Sequence, residues 1–454
     1  MSELTVVEQL GKWVASKRFE DLSQEEIVAL KGRVLDAIGC AIGALDSTTI
    51  KSIQKMTHDL TQDGSATLIG GGKTTPDYAA LFNGAAIRYL DYNDSYLAKG
   101  ETCHPSDNIS AILAATEHNG GTGKDFLLGL AIAYHVQCRL SDEAPVRKHG
   151  FDHTVQEAYG AAAGAAKALG LDEKQIANAV AISGTSYNSL RVTRTGGLSN
   201  WKGLAAPNTA RGAMSSALLA KYDITGPREV FEGNKGFYET IAGQFDIDWE
   251  NEGLGRVLDT IIKRYNAEIH SQSSIEGLIE FRNKENIPAE DIKEIRLDTF
   301  DVAFHIIGGG EEGEKKTIRV KEEADHSLPY MLSAAYLDGQ VLPAQYEQDR
   351  ILADDIQSLL QKVTVRENPE FSQRFPKEMA IKLEVETNDG KVYEINKDDY
   401  QGFTSRPATW DVLLEKYNLL TANIDSKLAA DIADAINRLE EIDITELTTL
   451  LAKI

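Results

Sequence analysis

The stretch Arg88-Tyr-Leu-Asp91-Tyr-Asn-Asp94-Ser95-Tyr-Leu-Ala-Lys-Gly100-Glu-Thr-Cys103-His104-Pro105-Ser-Asp107-Asn108 lies between two apolar helical patterns. Ahead of it, Ala85-Ala86-Ile87 close a helix read from Asp77 to Leu90, and behind it Ile109, Ile112 and Leu113 begin another apolar face. If the first helix runs on, Arg88, Asp91 and Ser95 follow one another at single-turn spacing and share a face. Gly100 then breaks the helix and Pro105 fixes the chain after His104. A loop leaving a buried helix can bring His104 back over Asp91 and Ser95. An acid, a hydroxyl and an imidazole held by a rigid scaffold are the parts of a proton-transfer site. The same composition also has a plainer reading, in which Asp107 caps the following helix. An EF-hand is excluded, because counting from Asp91 puts Tyr96 and Thr102 where Gly and Glu are needed. A divalent metal on Asp91, Asp94 and His104 lacks any helical His-x-x-x-His pair to support it.

The chain has 454 residues, more than one core usually serves, and so two domains are expected. Lys and Arg number 47 against 70 Asp and Glu, a net charge of −23. So acidic a surface argues against nucleic acid and anionic membranes as partners. An anionic substrate would need a local cluster of cations. Met1 to Phe19, with Val6, Leu10 and Val14, reads as an amphipathic opening helix and not a signal peptide. Apolar stretches such as Phe126 to Tyr134 are too short to span a bilayer. Cys40, Cys103 and Cys138 show no Cys-x-x-Cys spacing, which disfavours zinc and iron–sulfur ligation. A reduced, cytoplasmic setting fits.

Ser23 and Glu26 form a capping-box pattern before the helical face Ile27, Leu30, Val34, Ile38, Ile42. Gly70-Gly-Gly-Lys73-Thr74 invites a phosphate-loop reading, but Thr67 stands where the earlier glycine is required, so a turn is expected instead. Phe126 to Leu140 is apolar nearly all round, and His135 within it reads as a satisfied core histidine. The small-residue run Ala158 to Leu169 reads as close helix packing. His153 precedes it at a helix start, where the dipole disfavours its cation. Arg191, Arg194 and Lys202 lie in one loop region of an acidic protein. They read either as a solvated basic loop or as the cation cluster that a polycarboxylate needs. From Ile292 onward the pattern alternates: Ile295 and Leu297, then Ile381, Leu383 and Val385 before the hairpin signal Asn388-Asp-Gly390. Helices are expected at 272–284, 328–338 and 351–361, and helical patterns return after about residue 400.

Leu90-Asp-Tyr-Asn-Asp-Ser-Tyr-Leu-Ala98 with His104-Pro-Ser-Asp-Asn108 resembles the MmgE/PrpD family, nearest to its 2-methylcitrate-dehydrating members. The cis-aconitate-decarboxylating members are more distant. The resemblance extends through Leu190-Arg-x-x-Arg194, Lys202, Lys263 to Ser273 and Ala324 to Tyr330, with Asn266 in place of a family Pro and Arg264 following Lys263. It implies a mainly α fold: a large all-helical domain from both chain ends (1–263 and 401–454) and a smaller inserted α+β lid domain (264–400). It further implies a cleft at their junction, a homodimer, no metal and no cofactor.

The activity it implies is dehydration of a 2-methylcitrate-like hydroxy-tricarboxylic acid to an aconitate-type alkene, a place in propionate metabolism. Such chemistry needs a base, cations for the developing charge, and an acid for the departing hydroxyl. Under this resemblance Asp91, His104, His270 and Lys202 are the catalytic candidates. Ser95, His153, Arg191, Arg194, Lys263 and Tyr330 are the substrate-binding ones, for a small di- or tricarboxylate. Cis-aconitate decarboxylation, epimerisation or racemisation of a dicarboxylate, and a non-catalytic helical binding protein are the alternatives, since fold does not fix function.

Overall fold

Ser23 starts a helix by accepting the Glu26 N–H on its hydroxyl at 3.2 Å, while the Glu26 carboxylate accepts the Ser23 N–H at 2.6 Å. Two orphan donors are thereby satisfied, and the helix Gln24–Ala44 (α2) runs from there. The computed structural model describes residues 4–61 and 63–454. It is mainly helical and divides into two units. One runs to Arg194 and resumes over Gly203–Thr260 and Thr409–Ile454; the other comprises Thr195–Lys202 and Ile261–Ala408.

In the first unit the opening helix is Val6–Ser16 (α1), burying Val7, Leu10, Trp13 and Val14, and Thr48–Leu60 (α3) follows α2. Met1 to Glu3 of the expected helix lie outside the described residues. Gly70, Gly71 and Gly72 all have positive φ and turn the chain between the short paired strands Ala66–Thr67 and Lys73–Thr74. Helix Pro76–Tyr89 (α4) follows, with Pro at its start where a missing N–H costs nothing. Then come Ile109–His118 (α5), Gly123–Glu143 (α6) and Thr154–Ala168 (α7). Their small residues permit very close approach: a Cβ on Gly164 would sit 2.5 Å from the Gly129 carbonyl oxygen, and one on Gly160 2.7 Å from that of Ala133. His135 is a core histidine whose Nε2 lies 2.9 Å from Glu252. Helix Trp410–Leu420 lies against α2, where a Cβ on Gly39 would come within 3.2 Å of Tyr417. No helix among the described residues is long and apolar enough to cross a membrane.

The second unit is α+β. Its sheet has the order Val363–Glu367, Ile292–Thr299, Ile381–Thr387, Val392–Lys397, parallel at the first pairing and antiparallel at the others. Along Ile381–Thr387 burial alternates residue by residue, as a strand with one covered face requires. Helices Gln272–Glu285 and Leu328–Asp338 occupy the expected positions, whereas the third is split into Gln348–Ile351 and Asp354–Gln361.

The glycine contacts make a paired prediction. Gly164→Ala gains about 1 kcal/mol of helix propensity. It must also displace a backbone carbonyl, and overpacking costs roughly 1–3 kcal/mol. We expect a lower melting temperature. Gly203→Ala, also inside a helix but with nothing within 4 Å of the new Cβ, should leave the melting temperature unchanged or raise it. Thermal unfolding of the two variants checks the contrast.

Candidate active site

Helix α4 ends at Tyr89, and Asp91 takes a left-handed backbone with φ 54°. The helix therefore does not continue to Ser95, and the expected single face of Arg88, Asp91 and Ser95 is absent. Asp tolerates this conformation better than most residues, because its short side chain bonds locally. Arg88 and Asp91 still form a buried ion pair across the turn. Gly100 breaks no helix; it lies between the paired strands Tyr96–Leu97 and Thr102–Cys103.

Arg88 donates to the Asn93 side-chain oxygen at 3.4 Å, and its Nε lies 3.6 Å from Asp107. The Asn93 amide donates to Ser106 Oγ at 2.8 Å and to Asp107 Oδ1 at 2.9 Å. Asp107 is thus buried inside the turn Pro105–Asn108 and makes no helix cap. Burial raises its carboxyl to about 7, although the Arg88 charge opposes this. Asp94 accepts the Ser106 N–H at 3.0 Å on one oxygen and the Tyr134 hydroxyl at 2.8 Å on the other.

This scaffold orients His104. Its Nδ1 lies 2.7 Å from the Asp94 carbonyl oxygen and 3.0 Å from Ser95 Oγ. A carbonyl only accepts, so Nδ1 carries the proton and Nε2 is the basic nitrogen. The His153 ring stands edge-on to it, with centroids 5.2 Å apart. His153 precedes α7 and its Nδ1 is 3.3 Å from Asp152. Its buried Nε2 has no hydrogen-bond partner among the described residues. Burial and the charges of Arg194, Arg88 and Arg191 push this imidazole down to about 3, against the pull of Asp152. His153 is therefore neutral at physiological pH.

Asp152 accepts Arg194 Nε at 2.5 Å and Nη2 at 3.3 Å, and the Thr193 hydroxyl at 2.8 Å. Burial would raise its carboxyl, but Arg194 and then His153 hold it well below the usual range. Arg191 is half-buried and donates its backbone N–H to the Gly150 carbonyl at 2.8 Å. Glu157 stands one turn beyond His153 on α7. Both its carboxyl oxygens are buried without a hydrogen-bond partner among the described residues, and burial with the nearby Asp107 pushes its carboxyl well up.

The second unit holds its own cluster. Lys202 Nζ lies 2.9 Å from both Asp325 Oδ1 and His326 Nδ1, and Lys321 reaches the other Asp325 oxygen at 2.8 Å. His270 Nδ1 is 2.8 Å from Glu268, which also accepts the His270 backbone N–H at 2.8 Å. His270 Nε2 is buried without a hydrogen-bond partner among the described residues, and the ring packs edge-on to Phe300. Lys263 is fully buried; against burial, His270 first, then His326 and Lys263, hold the Glu268 carboxyl at about 2. Asn266 donates its backbone N–H to the Val341 carbonyl at 2.9 Å, a bond proline could not make. Tyr330 does not join this cluster. Its ring lies in the hydrophobic core and its hydroxyl donates to the Gln345 carbonyl, which corrects its reading as a substrate ligand.

The structure therefore joins Ser95 to His104, His104 to His153, and His153 through Asp152 to Arg194, while Asp91 goes to Arg88. Reasoning from sequence assigned no role to Glu157, Asp152, Glu268 or the Asp325–His326 pair. Each is a lone carboxylate or dipeptide in sequence, and only the fold supplies its partner.

The chain matches the family models of the MmgE/PrpD N-terminal domain over residues 8–250 and the MmgE/PrpD C-terminal domain over 265–441. It is similar to a 2-methylcitrate dehydratase of Salmonella typhimurium, 28% identical over 383 residues that cover 79% of this chain and 77% of that one. A probable 2-methylcitrate dehydratase of Saccharomyces cerevisiae is 28% identical over 388 residues, 78% and 73% of the two chains. The cis-aconitate decarboxylase of Homo sapiens is 23% identical over 480 residues, 98% and 94%.

The His153 environment is testable by titration. The unfolded chain protonates this ring at the ordinary 6.5 and the native state only near 3. Its contribution to stability is therefore full above pH 6.5 and is lost as pH falls through that window. In histidine-labelled protein the His153 resonance should stay neutral between pH 8 and 5. His153→Asn should remove that resonance and flatten the acid limb of stability against pH. Titration of all the imidazoles near 6.5 would contradict the assignment.

Proposed function

We propose that this chain, which belongs to the MmgE/PrpD family, is a hydro-lyase that dehydrates a 2-methylcitrate-like hydroxy-tricarboxylic acid to an aconitate-type alkene. The observation that carries this reading is the His104 ring, whose Nδ1 proton is committed to the Asp94 carbonyl and Ser95, leaving Nε2 basic beside a neutral His153. In the reaction a base removes a proton α to a carboxylate, the C–O bond breaks, and the hydroxyl leaves as water with a proton from an acid. His104 and His270 carry these protons, and Glu268 orients His270 as the Asp94 carbonyl orients His104. Asp91, held by Arg88, orients the substrate, and Ser95 hydrogen-bonds it. Arg191, Lys202 and Lys263 meet its carboxylates and the charge that develops on them. Arg194, two of whose donors go to Asp152, adds to the same field.

The reading includes no metal and no cofactor, and takes the enzyme as a cytoplasmic homodimer working in propionate metabolism. Activity should survive extensive chelation. Loss on chelation with recovery on adding iron or magnesium would overturn the metal-free part. The similarity to cis-aconitate decarboxylases keeps a second reaction in view. A product assay over methylcitrate, citrate and cis-aconitate separates the two: alkene absorbance without CO2 supports the hydro-lyase, and CO2 release supports the decarboxylase.

His104→Gln should lower kcat by roughly two to four orders of magnitude, the usual range for a general acid or base, with little change in KM or melting temperature. Lys202→Met should chiefly raise KM. Normal turnover by His104→Gln would make its loop structural.

A further inference from the structure

Lys416 is a buried lysine from helix Trp410–Leu420, 4% exposed, whose ammonium points at the loop that carries the site. It donates to the Tyr92 carbonyl at 2.6 Å across 324 residues of sequence and sits 3.6 Å from the centroid of the Tyr92 ring. Its counter-ion is Asp36 of α2, at 2.6 Å. Burial raises the Asp36 carboxyl and the Lys416 charge opposes this, so the pair is mutually dependent. Tyr92 occupies a sensitive place. On one side is Asp91 with its left-handed backbone; on the other, beyond Asn93, are Asp94 and Ser95, the two residues that fix the His104 tautomer. A backbone held in an uncommon conformation persists only when its surroundings over-determine it. Asn93 braces this loop through side-chain bonds to Ser106 and Asp107. Lys416 holds it through the backbone, from a different part of the chain.

We infer that Lys416 is a positioning residue: by clamping the Tyr92 carbonyl against Asp36 it sets the loop that aims His104, without touching substrate. This rests on the reading of His104 as a proton carrier. A pair of merely structural worth would behave differently. Breaking a buried pair strands one charge and destabilises strongly, whereas removing both charges is often nearly neutral. Stability and positioning can therefore be separated.

The experiment compares Lys416→Met with the double variant Asp36→Asn plus Lys416→Met in the full chain. Three properties are read: melting temperature, kcat and KM for methylcitrate dehydration, and hydrogen exchange of the peptide covering Tyr92 to Ser95. The single variant should melt lower. The double variant should recover most of that loss yet stay on the order of 10- to 100-fold down in kcat, the scale set by small misplacements of a catalytic group, with KM nearly unchanged. Its 92–95 amides should exchange faster than in the unmodified protein. Recovery of kcat together with melting temperature, or unchanged exchange at 92–95, would overturn the positioning role. His104→Gln is run alongside. If it turns over normally, the proton-carrier reading has failed, and the exchange data alone decide whether Lys416 anchors the loop.

Discussion

Charge taken out of water must be met by opposite charge or by a proton, and this constraint organises the interior of the first unit. Arg33, Arg88, Arg194 and Lys416 are buried there with Asp36, Asp91, Asp94, Asp107, Asp152 and Glu157. Among the described residues of this unit, buried carboxyl groups outnumber buried Lys and Arg side chains, and burial raises the carboxyls of Asp36, Asp107 and Glu157. Arg194 holds the Asp152 carboxyl well below the usual range, whereas burial and the nearby Asp107 push that of Glu157 well above it. Burial, with three guanidinium groups nearby, keeps the His153 imidazole neutral in the physiological range.

The apolar framework serves that interior by being close and stiff. Glycines on α6 and α7 let the helices meet at backbone distance, which fixes the helix that begins just after His153. Tyr134 comes from the middle of α6 to hold Asp94. A rigid helix is a better mount than a loop for a group that must be held within a fraction of an ångström. His104 lies on irregular chain, so its precision comes from hydrogen bonds to Asp94 and Ser95.

Much of the helical frame was legible in the residues. The capping box at Ser23, the glycine turn at Gly70, the alternation along Ile381 to Val385 and the small-residue run after Ala158 all express local rules of spacing and backbone freedom. The meeting of Ser95 with His104 was legible too, from a proline and a run of polar residues after an apolar helix. The end of that helix was misjudged. Spacing alone continues it to Ser95, whereas the Arg88–Asp91 pair and the positive φ at Asp91 turn the chain away. Tyr330 was misjudged for the opposite reason, since an aromatic beside a histidine motif gives no sign that its hydroxyl is satisfied in the core. The partners of Asp152 and Lys416 lie about 40 and more than 300 residues away, and no local pattern encodes such pairings.

The clamp between Lys416 and Tyr92 also has a meaning in time. At about 5–20 residues per second, synthesis of the 324 residues that separate them takes on the order of tens of seconds. For most of that interval the nascent chain already contains Asp36, His104 and His153 but not the ammonium that joins Asp36 to the loop. A ribosome that stops early releases a chain with most of its helices and an unanchored loop. Helix Trp410–Leu420 thus supplies, some 300 residues later in synthesis, the fastening for a loop made long before it.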